Sequence, residues 1–417
     1  MSAREKTLAS KTLVCLLQGL AGSKSQVRVE FRDETAVTGK IQAVDGYMNI
    51  EMVDVTYEAP SGSDKAFAKY CCQGKFISNH DLHEKGEFAY KLLMLGSDGP
   101  NVNKAVFKIF DHRLKSEVGE GLVNVGMCNL HIVHNAFGEG LQLDAFASII
   151  DFLEDIDIWF RKYPSRKEDL IISSQCVDEE VVCNTLRLSV VPSCQRILKM
   201  YPALKQHFLV DLVGNKSNLI KTERYKRIRS ALKSHLTPAY LHFLVSVGKI
   251  FDKFLRFLQS DKILIHLLYD EMSNIVRKLL FRFISMESCQ EKKDDLLEIP
   301  LKSIMEKENL KYLDVGHEAN KILSSIEAAA KRCFKLDAQN FYFSVTSYLL
   351  KKLPLKNQML KSILVLHPVA RKEPVNKTIG VVKRLTKMLS RCVQLEEMDK
   401  ILDEWRIYVS DEEIKEE

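Results

Sequence analysis

Several absences narrow the class of this chain before any motif is read. No hydrophobic run is long and uninterrupted enough to cross a membrane. The longest, Leu241–Leu258, is broken by Lys249, Asp252, Lys253 and Arg256, so it reads as an amphipathic helix and no membrane partner is expected. Paired cysteine spacing is missing too. The ten cysteines are scattered, which excludes a disulfide scaffold. The polar stretch Met1–Thr12 has no secretory character, so a reducing compartment is expected, nucleus or cytosol. No glycine-rich phosphate loop, serine triad or nucleophilic-cysteine setting is visible. Charge of one sign is also scarce. The balance of 61 Lys and Arg against 55 Asp and Glu leaves +6, which permits a nucleic-acid partner without requiring one. There are no repeats and no low-complexity segment.

What is present divides into two styles. A length of 417 residues predicts two or more domains with sizeable cores. Near the start, Leu8, Leu13, Leu16, Leu17 and Leu20 predict a short helix. From Gln26 to Tyr57 the pattern has period two: Val27, Val29 and Phe31 face one way, Arg28 and Glu30 the other. Ala36–Val44 reads as a long strand that bends at Gly39, and Met48–Val55 as a third. Pro60–Asp64 is a loop and the first candidate boundary. Beyond it, Ala66–Cys72 and Ser78–Leu82 do not alternate cleanly, which predicts a damaged last strand pair. Leu92–Leu95 and Gly121–Val133 read as buried strands. A helix starts near Val102 with Val106, Phe107 and Ile109-Phe110 on its buried side, and Asn135–Trp159 reads as helix. From Cys194 onward the spacing is helical, with stops expected at Pro238, Pro300 and Pro354. The tail Asp411–Glu417 is acidic.

The segment Asp45-Gly46-Tyr47-Met48-Asn49-Ile50 places an acid, an aromatic ring and an amide together after two strands. That suits one unpaired RNA base: the ring stacks, and an amide both donates and accepts. The helix, the bent strands and Asp-x-aromatic-Met-Asn together resemble the Sm/LSm family. The stretches LLQGLAG and VRVEFRDETAVTGKIQAVDGYMNIEMVDVTY resemble its subunit type specific to the U7 small nuclear ribonucleoprotein. The resemblance implies that Tyr47 stacks on a base, Asn49 bonds its edge and Asp45 orients the loop. Its second motif falls on Cys72-Gln73-Gly74-Lys75-Phe76-Ile77, making Gly74 and Lys75 the remaining RNA-binding candidates. It also implies a nuclear role in histone pre-mRNA 3′-end processing. The implied partners are U7-type snRNA and other Sm/LSm proteins in a heteroheptameric ring closed by edge strands.

The rest resembles a hAT-type transposase that has been cut down. The carriers are Leu92–Lys104, Cys128–Phe137, Trp159-Phe160 and Tyr201–Leu204. In that family an RNase H-like sheet holds three carboxylates for two metal ions, and Asp98 corresponds to the second. The first carboxylate's strand is replaced by the Sm-like segment, and the chain stops near Asp411 before the late glutamate. Thr185–Ser189 lacks the family's tryptophan after Arg187. Because two-metal chemistry needs shared acidic ligands, no enzymatic activity, metal or cofactor is expected. Cys128, His131 and His134 lack a fourth ligand and are read as structural. Lys221, Arg224, Lys226, Arg227, Arg229 and Lys233, with Tyr225 among them, form a basic helix face. It reads first as solvated and second as a residual DNA contact.

The expected fold is therefore multi-domain. An Sm-like small β-barrel with an N-terminal helix spans 7–79, a junction spans 80–91, and a mainly α region with a remnant of an RNase H-like α/β core spans 92–410. The functional expectation is an RNA-binding Sm-like subunit. The alternatives are an inactive transposase-derived binding protein, or two genes merged into one predicted chain. The loss of Sm pattern after Tyr57 motivates the last.

Overall fold

The computed structural model describes residues 26–31, 35–44, 49–58, 65–72, 77–82, 101–123, 129–173, 190–214, 218–260, 264–290, 296–308, 310, 312–390, 393 and 395–411. The chain divides into two compact units, one of Met1–Cys128 with Arg371–Glu417 and one of Asn129–Ala370.

The first unit opens with five strands: β1 (Gln26–Phe31), β2 (Ala36–Val44), β3 (Ile50–Glu58), β4 (Lys65–Cys72) and β5 (Ile77–Leu82). They form one antiparallel sheet in the order β4-β3-β2-β1-β5. The alternation read from β1 is real: Val27 and Val29 are buried and meet Val37, Ile41, Val44, Ile50, Met52, Val55 and Cys72 in one core. Burying such aliphatic side chains contributes about 1.5–3 kcal/mol each.

The bend falls where Gly39 predicted it. Thr38 pairs with Thr56 but Lys40 with Val53, so Gly39 alone faces Asp54 and Val55. The extra residue, Asp54, takes up the slack at φ +53°, a left-handed conformation that Asp tolerates better than most side chains. A second slip between Ile41 and Ala43 restores the register. The strand pair thus bends sharply without losing its buried face.

Two expectations about this region need correction. The last two strands are not damaged: β4 runs in register along β3 from Tyr57↔Lys65 to Ile50↔Cys72, and β5 pairs with β1. Lys65 through Lys69 are all exposed, so an edge strand lacked the alternation that marks a half-buried one. The connection at Pro60–Asp64 is consequently no domain boundary, since it joins paired strands. The expected helix Leu8–Leu20 lies outside the described residues.

Helix α1 (Asn101–Val118) starts as expected, but Ile109, placed on its buried side, is 58% exposed. Its C-terminal loop folds back, with Leu122 buried and its N–H donating to Asp111 Oδ1 at 2.9 Å.

The second unit is helical. It contains α2 (Asn129–Leu141), α3 (Asp144–Arg161), α4 (Pro164–Ser173), α5 (Val190–Gln206), α6 (Glu223–Lys233), α7 (Thr237–Leu258), α8 (Leu268–Leu280) and α9 (Ala328–Lys352), with shorter turns between. The strand expected over Gly121–Val133 is overturned in its described parts: 121–123 form no strand and Asn129–Val133 opens α2, since a short apolar run cannot by itself separate strand from helix, while 124–128 lie outside the described residues. Among the described residues no strand follows Leu82, and Leu92–Leu95 lies outside them. The expected single helix Asn135–Trp159 is two, broken at Gln142-Leu143. Pro238 begins α7 instead of stopping a helix, because proline suits the first turn. The core is aromatic. Phe146, Tyr240, Phe243, Phe334 and Phe341 cluster with centroids about 5–6 Å apart, and Tyr342 stacks on Phe283.

The first unit closes with α10 (Val375–Met388) and α11 (Met398–Ser410), which pack together through Val382, Leu385, Leu402 and Trp405.

Candidate nucleic-acid interface

Two connections carry the candidate residues: 45–48 between β2 and β3, with Asp45 and Tyr47, and 73–76 between β4 and β5, with Gly74 and Lys75. Those four side chains lie outside the described residues. Their anchors do not. Val44 pairs with Ile50, and Ile50 with Cys72. Both connections therefore leave from adjacent rungs at one end of the sheet, with neighbouring strands about 4.8 Å apart. Asn49 is half-buried at the head of β3, beside the fully buried Ile50. The register thus sets the anchors of the two connections, Val44, Ile50 and Cys72, on one rung, although Val44 and Cys72 are more than twenty residues apart.

Rigid packing backs this end of the sheet. The Cys72 thiol reaches Met52 Sδ at 3.6 Å, and burial pushes it up to about 12, helped by neighbouring Cys71. It stays a protonated core group at neutral pH. Ion pairs occupy the polar side. Arg28 pairs with Glu58 across β2, Lys69 pairs with Glu51, and Lys40 Nζ lies 3.0 Å from Asp54 Oδ2. Among the described strand residues Lys65 alone of the Lys and Arg side chains makes no ion pair. The described strand faces thus offer little unpaired positive charge.

The basic face on α6 stays in contact with solvent but is partly paired. Arg227 forks onto Asp155 at 2.7 and 2.8 Å, Arg224 Nε adds a bond to it at 3.0 Å, and Lys226 Nζ meets Glu223 at 2.6 Å. Tyr225 is buried and donates to the Phe208 carbonyl at 2.8 Å, next to a π-helical turn, His207–Asp211. Asp155 lies far upstream on α3, so nothing in the local sequence announced this neutralisation. A cleft of about 410 Å³ beside it is lined by Ile149, Phe152, Arg227, Thr237 and Tyr240. Two of its polar groups are engaged within the fold: Thr237 donates to the Ala231 carbonyl and Tyr240 to Asp337. Among the described residues no three His, Cys, Asp or Glu side chains could hold a metal. His131 and His134 sit on α2, while Cys128, Cys176, Cys183 and Asp98 lie outside the described residues.

A five-stranded antiparallel sheet, bent where β2 and β3 shift register at Gly39, defines a small β fold. Residues 22–78 match the LSM domain family, and the chain carries an LSm domain there. The match extends past Tyr57, so the Sm pattern does not end where the sequence alone suggested. Among solved structures the chain is similar to a heptameric archaeal Sm protein (18% identity, 17% of this chain and 98% of that one, TM-score 0.15). It is similar to the SmAP (LSm) protein of Methanococcus vannielii (22% identity, 16% and 92%, TM-score 0.15). It is also similar to an Sm-like archaeal protein from Pyrobaculum aerophilum (21% identity, 23% and 63%, TM-score 0.16).

Proposed function

We propose that this protein binds single-stranded RNA through its LSm domain, as one Sm-like subunit of the U7 small nuclear ribonucleoprotein acting in histone pre-mRNA 3′-end formation. The observation that supports the reading is the rung Val44–Ile50–Cys72, from whose residues the two connections carrying Asp45, Tyr47, Gly74 and Lys75 depart. Tyr47 stacks on a base, Asn49 hydrogen-bonds its edge, Asp45 orients the loop and Lys75 supplies positive charge beside Gly74. The U7 assignment is supported by the likeness of Leu16–Gly22 and of Val27–Tyr57 to that subunit type. Assembly with other Sm/LSm proteins is supported by the open edges of β4 and β5 and by Phe67, which is 39% exposed on the edge strand. In this reading the protein acts in the nucleus and is not an enzyme. Ultraviolet crosslinking to U7-type snRNA tests it: Tyr47→Ala with Asn49→Ala weakens the crosslink to this chain, and undiminished crosslinking would refute the site.

A further inference from the structure

Helix α10 carries an exposed basic stripe. Lys377, Gly380, Lys383, Arg384 and Lys387 are all exposed and recur at spacings of three and four, which puts them on one face. The opposite face is used. Thr378, Val382, Leu385 and Thr386 are buried, and Trp405 Nε1 of α11 donates to Thr378 Oγ1 at 3.0 Å. The helix contains no Asp or Glu. Lys377 is held by Glu373 at 2.8 Å, but among the described residues none pairs with Lys383, Arg384 or Lys387. Helix α6 shows the contrast, since two of its three arginines, Arg224 and Arg227, are bonded to Asp155.

Gly380 supplies a second, independent observation. It lies mid-helix within the stripe, where glycine weakens a helix relative to alanine. Among the described residues nothing lies within 4 Å of the position its Cβ would take, so none of them requires glycine there. A glycine that packing does not explain leaves room for a partner to approach the helix backbone closely.

We propose that this stripe is a second RNA contact, gripping the phosphate backbone of single-stranded RNA. The inference rests on the RNA-binding reading above. Lys377 to Lys387 spans about 15 Å at the helical rise, a row of cations suited to a regularly charged strand. Insertion into a lipid surface is disfavoured, because the apolar face of α10 is already covered by its own fold.

The test titrates the full chain with oligouridine over a salt series. Alongside it run a Lys383→Gln, Arg384→Gln, Lys387→Gln triple variant, the Tyr47→Ala, Asn49→Ala variant, and Gly380→Gln. The triple variant should bind roughly tenfold more weakly, with the slope of log K against log salt shallower by about 2. Gly380→Gln should raise Tm yet weaken binding at unchanged net charge, which a merely solvated basic face would not do. An unchanged salt slope in the triple variant, with Tm preserved, overturns the stripe while the loop site stands. Loss of binding only in the stripe variant supports the stripe and refutes the loop site. A wild-type chain that binds no RNA at low salt overturns both. Tighter, stripe-dependent binding to duplex DNA overturns the assignment to RNA.

Discussion

A Cβ added to Gly39 would lie 2.8 Å from Cγ2 of Val55 and 2.9 Å from the Val53 carbonyl oxygen. Strand β3 is pressed onto β2 at that point because Asp54 bulges out of the pair and the sheet folds over its own core. Both contacts come from a buried valine and from backbone, which cannot swing aside as a flexible side-chain end could. Gly39→Ala should therefore destabilise the sheet by about 1–3 kcal/mol through overpacking. Calorimetry of the full chain checks this as a lowered Tm for the transition assigned to the first unit. An unchanged Tm would mean that the bend lies elsewhere.

How much of this was readable beforehand depends on which faces are buried. β1, β2 and β3 show period two because Val27, Val29, Val37 and Ile41 line one face of a closed core. β4 hides the signal, since Lys65 to Lys69 are all exposed along an edge. Its existence follows from hydrogen bonding to β3, which no local pattern encodes. The same limit applies to the site. Asn49 could be picked out from its neighbours, but its closeness to the second motif needs the pairing of Ile50 with Cys72. The basic helix α6 stood out by composition and turned out to be bonded to Asp155. The basic stripe of α10 is interleaved with core positions and passed unnoticed.

Asp155 on α3 accepts from both Arg224 and Arg227 while itself buried. Charge-assisted bonds to a buried carboxylate are the stronger kind, although both guanidiniums keep substantial contact with water. Asp155→Ala should cost about 1–3 kcal/mol, less than a fully buried pair would. It should also free two arginines for polyanions. Thermal unfolding and heparin retention measured together separate these effects. A stability loss without increased retention would show that the freed arginines find other carboxylates, such as Asp151.

The helical unit should lose stability as pH falls from 7 towards 5. His207, His242 and His266 are each held below the usual histidine value of 6.5, in every case chiefly by burial. His207 sits against Phe160 and Phe208, and His266 also faces His367. The unfolded chain takes up protons as pH drops through about 6.5 while these folded imidazoles stay neutral. Unfolding is therefore favoured progressively from that point down to the folded values, below which the loss is complete. His207→Gln should flatten the dependence of Tm on pH over this window. An identical slope in the variant would place the acid sensitivity on other groups.

Cys71 and Cys72 are adjacent in β4 yet face opposite ways, exposed and buried. The buried thiol lies against Met52 and, pushed up to about 12, holds almost no thiolate at pH 8. Alkylation needs both thiolate and access, so Cys72 should react roughly a hundredfold more slowly than Cys71 in the native chain. Denaturation should remove the difference. Mass spectrometry of the labelled peptide that contains both residues measures this directly. The ratio bears on function, because a slip of one residue in β4 would exchange the two thiols. It would also move the connection carrying Gly74 and Lys75 away from the one carrying Asp45 and Tyr47. Equal labelling of both cysteines in the folded protein would show that β4 is not held in this register. The convergence of the two motifs at one end of the sheet would then have no structural basis.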